Sequence, residues 1–154
     1  MIPGKVQQIL DDHGLTALEF EPGSTPTSLL AAERIGVAVG QIAKSMLLKG
    51  KNGIFYLAIC PGDRRICSKK AKQETGTKIR MARVDETERV TGFKPGGVCP
   101  FGVEGAELLI DRGLSEYEVI YPAAGNDASG VPVTFERLCD ITGARVVDVM
   151  DVPL

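Results

Sequence analysis

Apolar and polar positions alternate along this chain in short blocks whose period switches between 3.6 and 2. Val6, Ile9, Leu10 and His13 share one face at helical spacing, with Gly14 as a stop. That stripe predicts a first helix and places His13 at its partly buried edge. Residues 17–21 alternate apolar and charged side chains, as a half-buried strand does. Thr27 can cap a helix through Leu29, Leu30 and Ala31 to Ile35, ended by Gly36. Residues 42–49 and 54–59 read as two strands of a hairpin joined by Gly50-Lys51-Asn52-Gly53, with Pro61-Gly62-Asp63 closing the second.

Ser68 then opens a lysine-rich helix that stops at Gly76. Asp85 with Glu88 three residues on has capping-box spacing for a helix ending near Gly92. After a glycine-rich loop come strands at 106–111 and 117–123, a turn at Gly125-Asn126-Asp127 and a short strand near Val131. A helix capped by Thr134 and ended by Gly143 follows, then a last strand at 145–150. Strands outnumber helices and cluster in hairpins, which predicts a mixed α+β domain. The length of 154 residues fits one such domain over 1–154.

Composition removes several function classes. Hydrophobic residues make up 44% and charged residues 25%, a globular balance unlike that of a disordered chain. The longest apolar stretches, such as 54–60, are too short to span a bilayer. The opening Met-Ile-Pro-Gly-Lys-Val-Gln-Gln has no hydrophobic signal segment, so the expectation is a cytoplasmic protein without membrane contact. Cys60, Cys67, Cys99 and Cys139 form no C-x-x-C pair, and His13 is the sole imidazole. Neither a zinc site nor a disulfide framework is expected, and no metal or cofactor is called for.

The net charge of −2 hides an asymmetry. From Lys44 to Arg83 there are eleven basic and two acidic residues, a segment charge of +9. Such clustering fits a surface that meets phosphates, or a solvated face balanced by acids from elsewhere in the fold. Catalytic kits are scarce. A Ser-His-Asp or Cys-His set needs an imidazole, and the only one, His13, extends the apolar stripe of the first helix, where a structural role is expected. Gly96-Gly97 and Gly102 fit neither glycine fingerprint for nucleotides. Two features remain. The stretch from Gly92 to Gly105 holds five glycines and two prolines; it is either a tight crossover or a loop whose backbone N–H groups hold a carbonyl or oxyanion. Lys44 lies inside an apolar strand beside Ile42 and Met46, where it either snorkels at a core edge or reaches into a pocket.

Five segments in register carry a resemblance over nearly the whole chain. They are Gln41-Ile42-Ala43-Lys44-Ser45, Pro61-Gly62-Asp63 with Ser68-Lys69-Lys70, Thr91-Gly92-Phe93, Gly96-Gly97-Val98-Cys99-Pro100-Phe101-Gly102, and Ala123-Ala124-Gly125. Together they resemble the YbaK/ProX-type aminoacyl-tRNA deacylases, the editing domains associated with prolyl-tRNA synthetase. The resemblance implies a mixed, barrel-like sheet with flanking helices. It implies hydrolysis of a mischarged small amino acid, of the alanine or cysteine class, from tRNA, typically that for proline. Lys44 would contact the terminal phosphate or position the ester. Gly96, Gly97 and Gly102 would hold the carbonyl through backbone N–H groups, and the ribose hydroxyl would help cleavage. Phe20, Ser45, Val98, Pro100, Phe101, Gly125 and Asp127 would complete the substrate site. The partners implied are the acceptor end of aminoacyl-tRNA and a prolyl-tRNA synthetase, with no DNA.

The chain departs from the cysteine-specific branch at two places. Phe20 stands where that branch has a tyrosine, and Pro132 where it has an aspartate, with Asp127 nearby as a substitute. Cys99 replaces a small residue in the loop, with packing as its expected role. These losses leave open a non-catalytic tRNA-binding accessory protein that kept the fold; a small-molecule esterase would leave the +9 segment without a purpose.

Overall fold

A computed structural model describes residues 1–153, of which 152 and 153 are described as backbone only. In chain order the elements are α1 (Gly4–Asp12), β1 (Leu18–Glu19), α2 (Ser28–Ile35), β2 (Ala43–Gly50), β3 (Phe55–Pro61), β4 (Arg64–Ile66) and α3 (Ser68–Thr75). Then come β5 (Ile79–Met81), α4 (Val84–Thr91), β6 (Glu107–Asp111), β7 (Ser129–Gly130), α5 (Phe135–Thr142), β8 (Arg145–Val147) and β9 (Met150–Pro153). The fold is α+β.

The principal sheet has the order β5-β2-β3-β6-β8. β2 pairs antiparallel with β3 and β5, while β3–β6 and β6–β8 are parallel, so the sheet is mixed. It is open rather than barrel-like. Its outer strands β5 and β8 are three residues each and never meet, so no ladder closes the ring. Two-stranded ribbons β1–β7 and β4–β9 flank it.

The period of two sorts side chains onto both faces. Ala43, Leu47, Leu57 and Ile59 join Val6 and Leu10 of α1 and Leu138 of α5 in the larger core. Leu48, Tyr56, Ala58 and Cys60 pack on the other face with Ala71 of α3 and Val149. The glycine-rich loop is fastened to the larger core by Phe93, Cys99 and Phe101, all buried.

Several sequence expectations change in detail. His13 is exposed rather than partly buried: α1 ends at Asp12, so His13 leaves the helical period, and its Nδ1 lies 2.8 Å from the Ile9 carbonyl. The strand expected at 17–21 shrinks to β1. That at 117–123 becomes two isolated bridges, Ile42↔Tyr121 and Ile120↔Val133, because Pro122 offers no N–H to a ladder. The last strand divides into β8 and β9.

The capping box of α4 uses Glu86, not Asp85 and Glu88. Arg83 precedes the first helical residue, so Glu86 is the third position, and its carboxylate accepts the Arg83 N–H at 2.9 Å. Glu86 is 1% exposed and also receives two hydrogen bonds from Arg80 at 2.8 and 3.0 Å. Arg80, followed by the Arg83 N–H, holds its carboxyl well below the usual carboxylate range. A carboxyl depressed in the folded state contributes stability that is complete above its ordinary pKa. That stability is lost as pH falls below the ordinary value toward the folded one. Glu86→Gln is therefore expected to lower Tm at neutral pH, with the gap to wild type narrowing below the ordinary carboxylate range; parallel Tm–pH curves would refute this.

Candidate active site

The N-terminal end of β2 forms one wall of a cavity of about 340 Å³. Its other walls are the entry to α2, the β3–β4 turn at Gly62, the tip of the glycine loop, and the segments around Tyr121 and Ser129. The entry to α2 is set locally: the Thr27 hydroxyl accepts the Leu30 N–H at 3.2 Å, as the sequence predicted. Ser28 and Leu29, the first two helical residues, line the cavity. First-turn N–H groups have no intrahelical acceptor, so α2 presents the positive end of its dipole there.

Strand geometry explains why the cavity opens beside β2. The Ala43 N–H bonds the Tyr121 carbonyl and the Leu47 carbonyl accepts from Ala82, both on the side away from β3. By the same parity the N–H and C=O of Ser45 also face away from β3, in the gap between those two contacts. The Ser45 hydroxyl is buried with no hydrogen-bond partner among the described residues.

Lys44 is exposed and lines the cavity, so the lysine of the apolar strand reaches a pocket. It is the only lysine, arginine or carboxylate among the lining residues, and it pairs with no carboxylate among the described residues. Its cross-strand neighbour is Cys60. Burial, then Asp111, pushes the Cys60 thiol far up, so this sulfur is no nucleophile. Burial likewise pushes the Cys99 thiol up to about 12, and Cys99 packs in the core beneath the loop.

The loop tip is a turn with defined chemistry. Pro95 and Gly96 are its central residues, Gly96 has φ +88°, and the Gly97 N–H closes it on the Lys94 carbonyl at 3.0 Å. This is a type II pattern, which requires a positive φ at the third position. Gly97 therefore spends its N–H inside the turn. Gly96 and Val98 line the cavity, and their N–H groups have no acceptor among the described residues.

Of the residues singled out in the sequence, Lys44, Ser45, Gly96 and Val98 converge on the cavity. The others do not line it. Gly97 lies against the backbone of Asn126. Asp127 accepts the Gly23 N–H through its side chain at 3.0 Å and the Thr25 N–H through its carbonyl at 2.6 Å, which fixes the segment carrying Thr25 and Pro26. Gly125 turns against Phe93 and Pro3. Pro100 and Phe101 are buried, and the Gly102 carbonyl accepts from Lys5 at 3.2 Å on the α1 side. Phe20 stacks under Arg34, 5.2 Å from ring centre to guanidinium. Neither Phe20 nor Pro132 lines the cavity.

Sequence reasoning missed Thr25, Ser28, Tyr121 and Ser129 as lining residues. Only the Thr27 cap hinted at them, by placing a helix start. Gly62, read in the sequence as a turn residue within a resemblance segment, was not expected to line the cavity. A Cβ there would come within 2.6 Å of Ser28 Cβ and 2.8 Å of the Val39 carbonyl, so the bare backbone of Gly62 lies directly against the Ser28 side chain of α2.

A scan of family models matches residues 22–141 to the aminoacyl-tRNA editing domain. The chain belongs to that family. The stretch matched contains every residue lining the cavity. YwhH of Bacillus subtilis, itself uncharacterised, is 37% identical over 129 residues, covering 83% of this chain and 82% of YwhH. EbsC of Enterococcus faecalis, proposed as a Cys-tRNA(Pro)/Cys-tRNA(Cys) deacylase, is 22% identical over 147 residues, covering 92% and 90%. A solved structure of a proposed trans-editing enzyme for prolyl-tRNA synthetase superposes with TM-score 0.86 at 34% identity, covering 96% of this chain and 95% of the other. The YbaK/ProX-type resemblance drawn from the five segments is thus correct, and the editing domain's open sheet is the framework on which its pocket sits. Among the described residues no helix is long and apolar enough to cross a membrane.

Proposed function

We propose that this editing domain is a trans-acting aminoacyl-tRNA deacylase that removes a mischarged small amino acid, of the alanine or cysteine class, from tRNA for proline. The observation that carries the reading is the meeting of Lys44, the Ser45 hydroxyl and the unpaired amides of Gly96 and Val98 around one cavity. An unpartnered buried hydroxyl costs about 1–3 kcal/mol, which a ligand hydrogen bond would recover.

The chemistry follows from what those groups can do. Lys44 and the α2 N-terminus attract the terminal nucleotide's phosphate and hold the ester near the loop. The N–H groups of Gly96 and Val98 donate to the carbonyl oxygen as it becomes an oxyanion. Water adds to that carbonyl with the neighbouring ribose hydroxyl assisting, the ester C–O bond breaks, and the departing ribose oxygen takes a proton. The products are the free amino acid and uncharged tRNA. With both nearby thiols protonated, catalysis rests on positioning and electrostatics. Gly97, Gly102, Gly125 and Asp127 hold the loop and the facing segment in place; Pro100 and Phe101 anchor the loop, and Phe20 supports α2 from outside. Because Phe20 and Pro132 lie off the cavity, their divergence from the cysteine-specific branch leaves the site intact and disfavours a non-catalytic binder. Limited selectivity for small apolar substrates, about 1–3 kcal/mol per methylene in a synthetase pocket, is the need such an enzyme meets.

The deciding assay charges tRNA separately with alanine, cysteine, serine and proline and follows deacylation by purified protein. Release of one small amino acid with the prolyl ester spared is the expected outcome. No release from any of the four, by a folded protein that still binds tRNA, would overturn the reading in favour of a tRNA-binding accessory protein.

A further inference from the structure

The tip of the β2–β3 hairpin carries a second cavity, about 430 Å³, far from Lys44. Lys49, Lys51, Lys78 and Arg80 line it, and the Lys51 N–H bonds the Lys78 carbonyl, so the two lysines are fixed as neighbours. Lys49, Arg80 and Arg83 all converge on buried Glu86, at 3.6, 2.8 and 3.7 Å. Asp85 pairs with Arg83 as well. Three of the five bases thus share two carboxylates, and Lys51 and Lys78 pair with none among the described residues. The surplus of positive charge is local and exposed, the condition for phosphate contact without base readout.

The two cavities lie on one track. Lys51 is six residues beyond Ser45 and just past the end of β2, which at about 3.3 Å per strand residue places it up to roughly 20 Å away. α4 links the same regions: its first turn holds Glu86, and the chain leaving it at Gly92 enters the loop that lines the active cavity. A stacked nucleic-acid strand advances about 3.4 Å per residue, so 20 Å corresponds to roughly six nucleotides.

We propose that this hairpin-tip cluster is a separate RNA-contact surface that grips backbone phosphates of the tRNA acceptor arm while the charged 3′ end occupies the Lys44 cavity. The proposal rests on the tRNA substrate reading and adds where the rest of that substrate lies. Lys51 and Lys78 contribute affinity for the long substrate and nothing to the chemical step.

The test compares wild type with the double variant Lys51→Glu, Lys78→Glu. One substrate is alanyl-tRNA for proline, and the other is an alanyl ester of the trinucleotide CCA, too short to reach the cluster. Both side chains are exposed and the Lys51–Lys78 contact is made by backbone, so the variant should fold, as circular dichroism would verify. The expected result is tRNA affinity at least tenfold weaker near 0.1 M salt, a log Kd–log salt slope smaller by roughly two, and unchanged hydrolysis of the short ester. Unchanged tRNA affinity and slope in the variant would overturn the surface. Failure of wild type to hydrolyse either ester would instead count against deacylation, while the salt slopes still decide the surface.

Discussion

Lys44→Ala is expected to lower kcat/KM for mischarged tRNA by on the order of 100-fold or more while leaving Tm at the wild-type value. The two halves of that expectation have separate causes. Lys44 is exposed, is held in no ion pair among the described residues, and projects from a strand whose neighbours Ala43 and Leu47 supply the core contacts. Folding therefore loses little when its side chain is cut back. The cavity, by contrast, loses the only ammonium or guanidinium group among its described lining residues, and the α2 dipole and loop amides are left to hold a polyanionic substrate alone. Lys44→Arg keeps the charge but places a broader, planar head in the cavity, so partial recovery is expected. Deacylation kinetics beside thermal melts check both statements. Wild-type turnover in a folded Lys44→Ala protein would remove Lys44 from the site.

Gly97→Val should act through shape. A Cβ at position 97 would lie 2.8 Å from the Asn126 Cα and 3.0–3.1 Å from its carbonyl carbon and nitrogen. All three are backbone atoms, so no rotamer change relieves the overlap. The loop tip must move away from the 125–127 turn, carrying the Gly96 and Val98 amides with it. A stability loss of about 1–3 kcal/mol is expected from such overpacking. The fall in kcat/KM should exceed what the unfolded fraction explains, because amides displaced by an ångström no longer meet the oxyanion. Gly97→Ala already carries the offending atom and should show most of both effects. A folded Gly97→Val protein with wild-type turnover would mean that the loop does not approach the ester.

Gly97 also shows how reading of the sequence and the final geometry differ. The glycine content of the loop pointed to backbone hydrogen bonding, and the loop does reach the cavity. Yet the Gly97 N–H closes the turn on Lys94, so the loop-tip amides left without an acceptor among the described residues are those of Gly96 and Val98, which line the cavity. Pro95-Gly96 encodes that turn locally, whereas the close packing of Gly97 against Asn126 joins positions 29 residues apart in sequence. Glu86 makes the same point: the sequence paired Asp85 with Glu88 at the start of α4, yet the acid that caps it is Glu86, which also holds Arg80 of β5.

The sequence by itself determined the α+β class, the β2–β3 hairpin, the starts of α2 and α5 at their threonine caps, and the family through five ordered segments. Each of these is written in local signals, namely period, caps, turn residues and motif spacing. Only the tertiary structure decided that the sheet stays open, that His13 is exposed, and that Thr25, Ser28, Tyr121 and Ser129 join Lys44 around one cavity. Those residues come from segments far apart in the chain, and apart from the Thr27 cap beside Thr25 and Ser28 nothing in their own neighbourhoods marks them. They meet because Gly62 lets α2 lie against the β3–β4 turn and because Asp127 fastens the segment before α2, contacts that exist only once the core has formed.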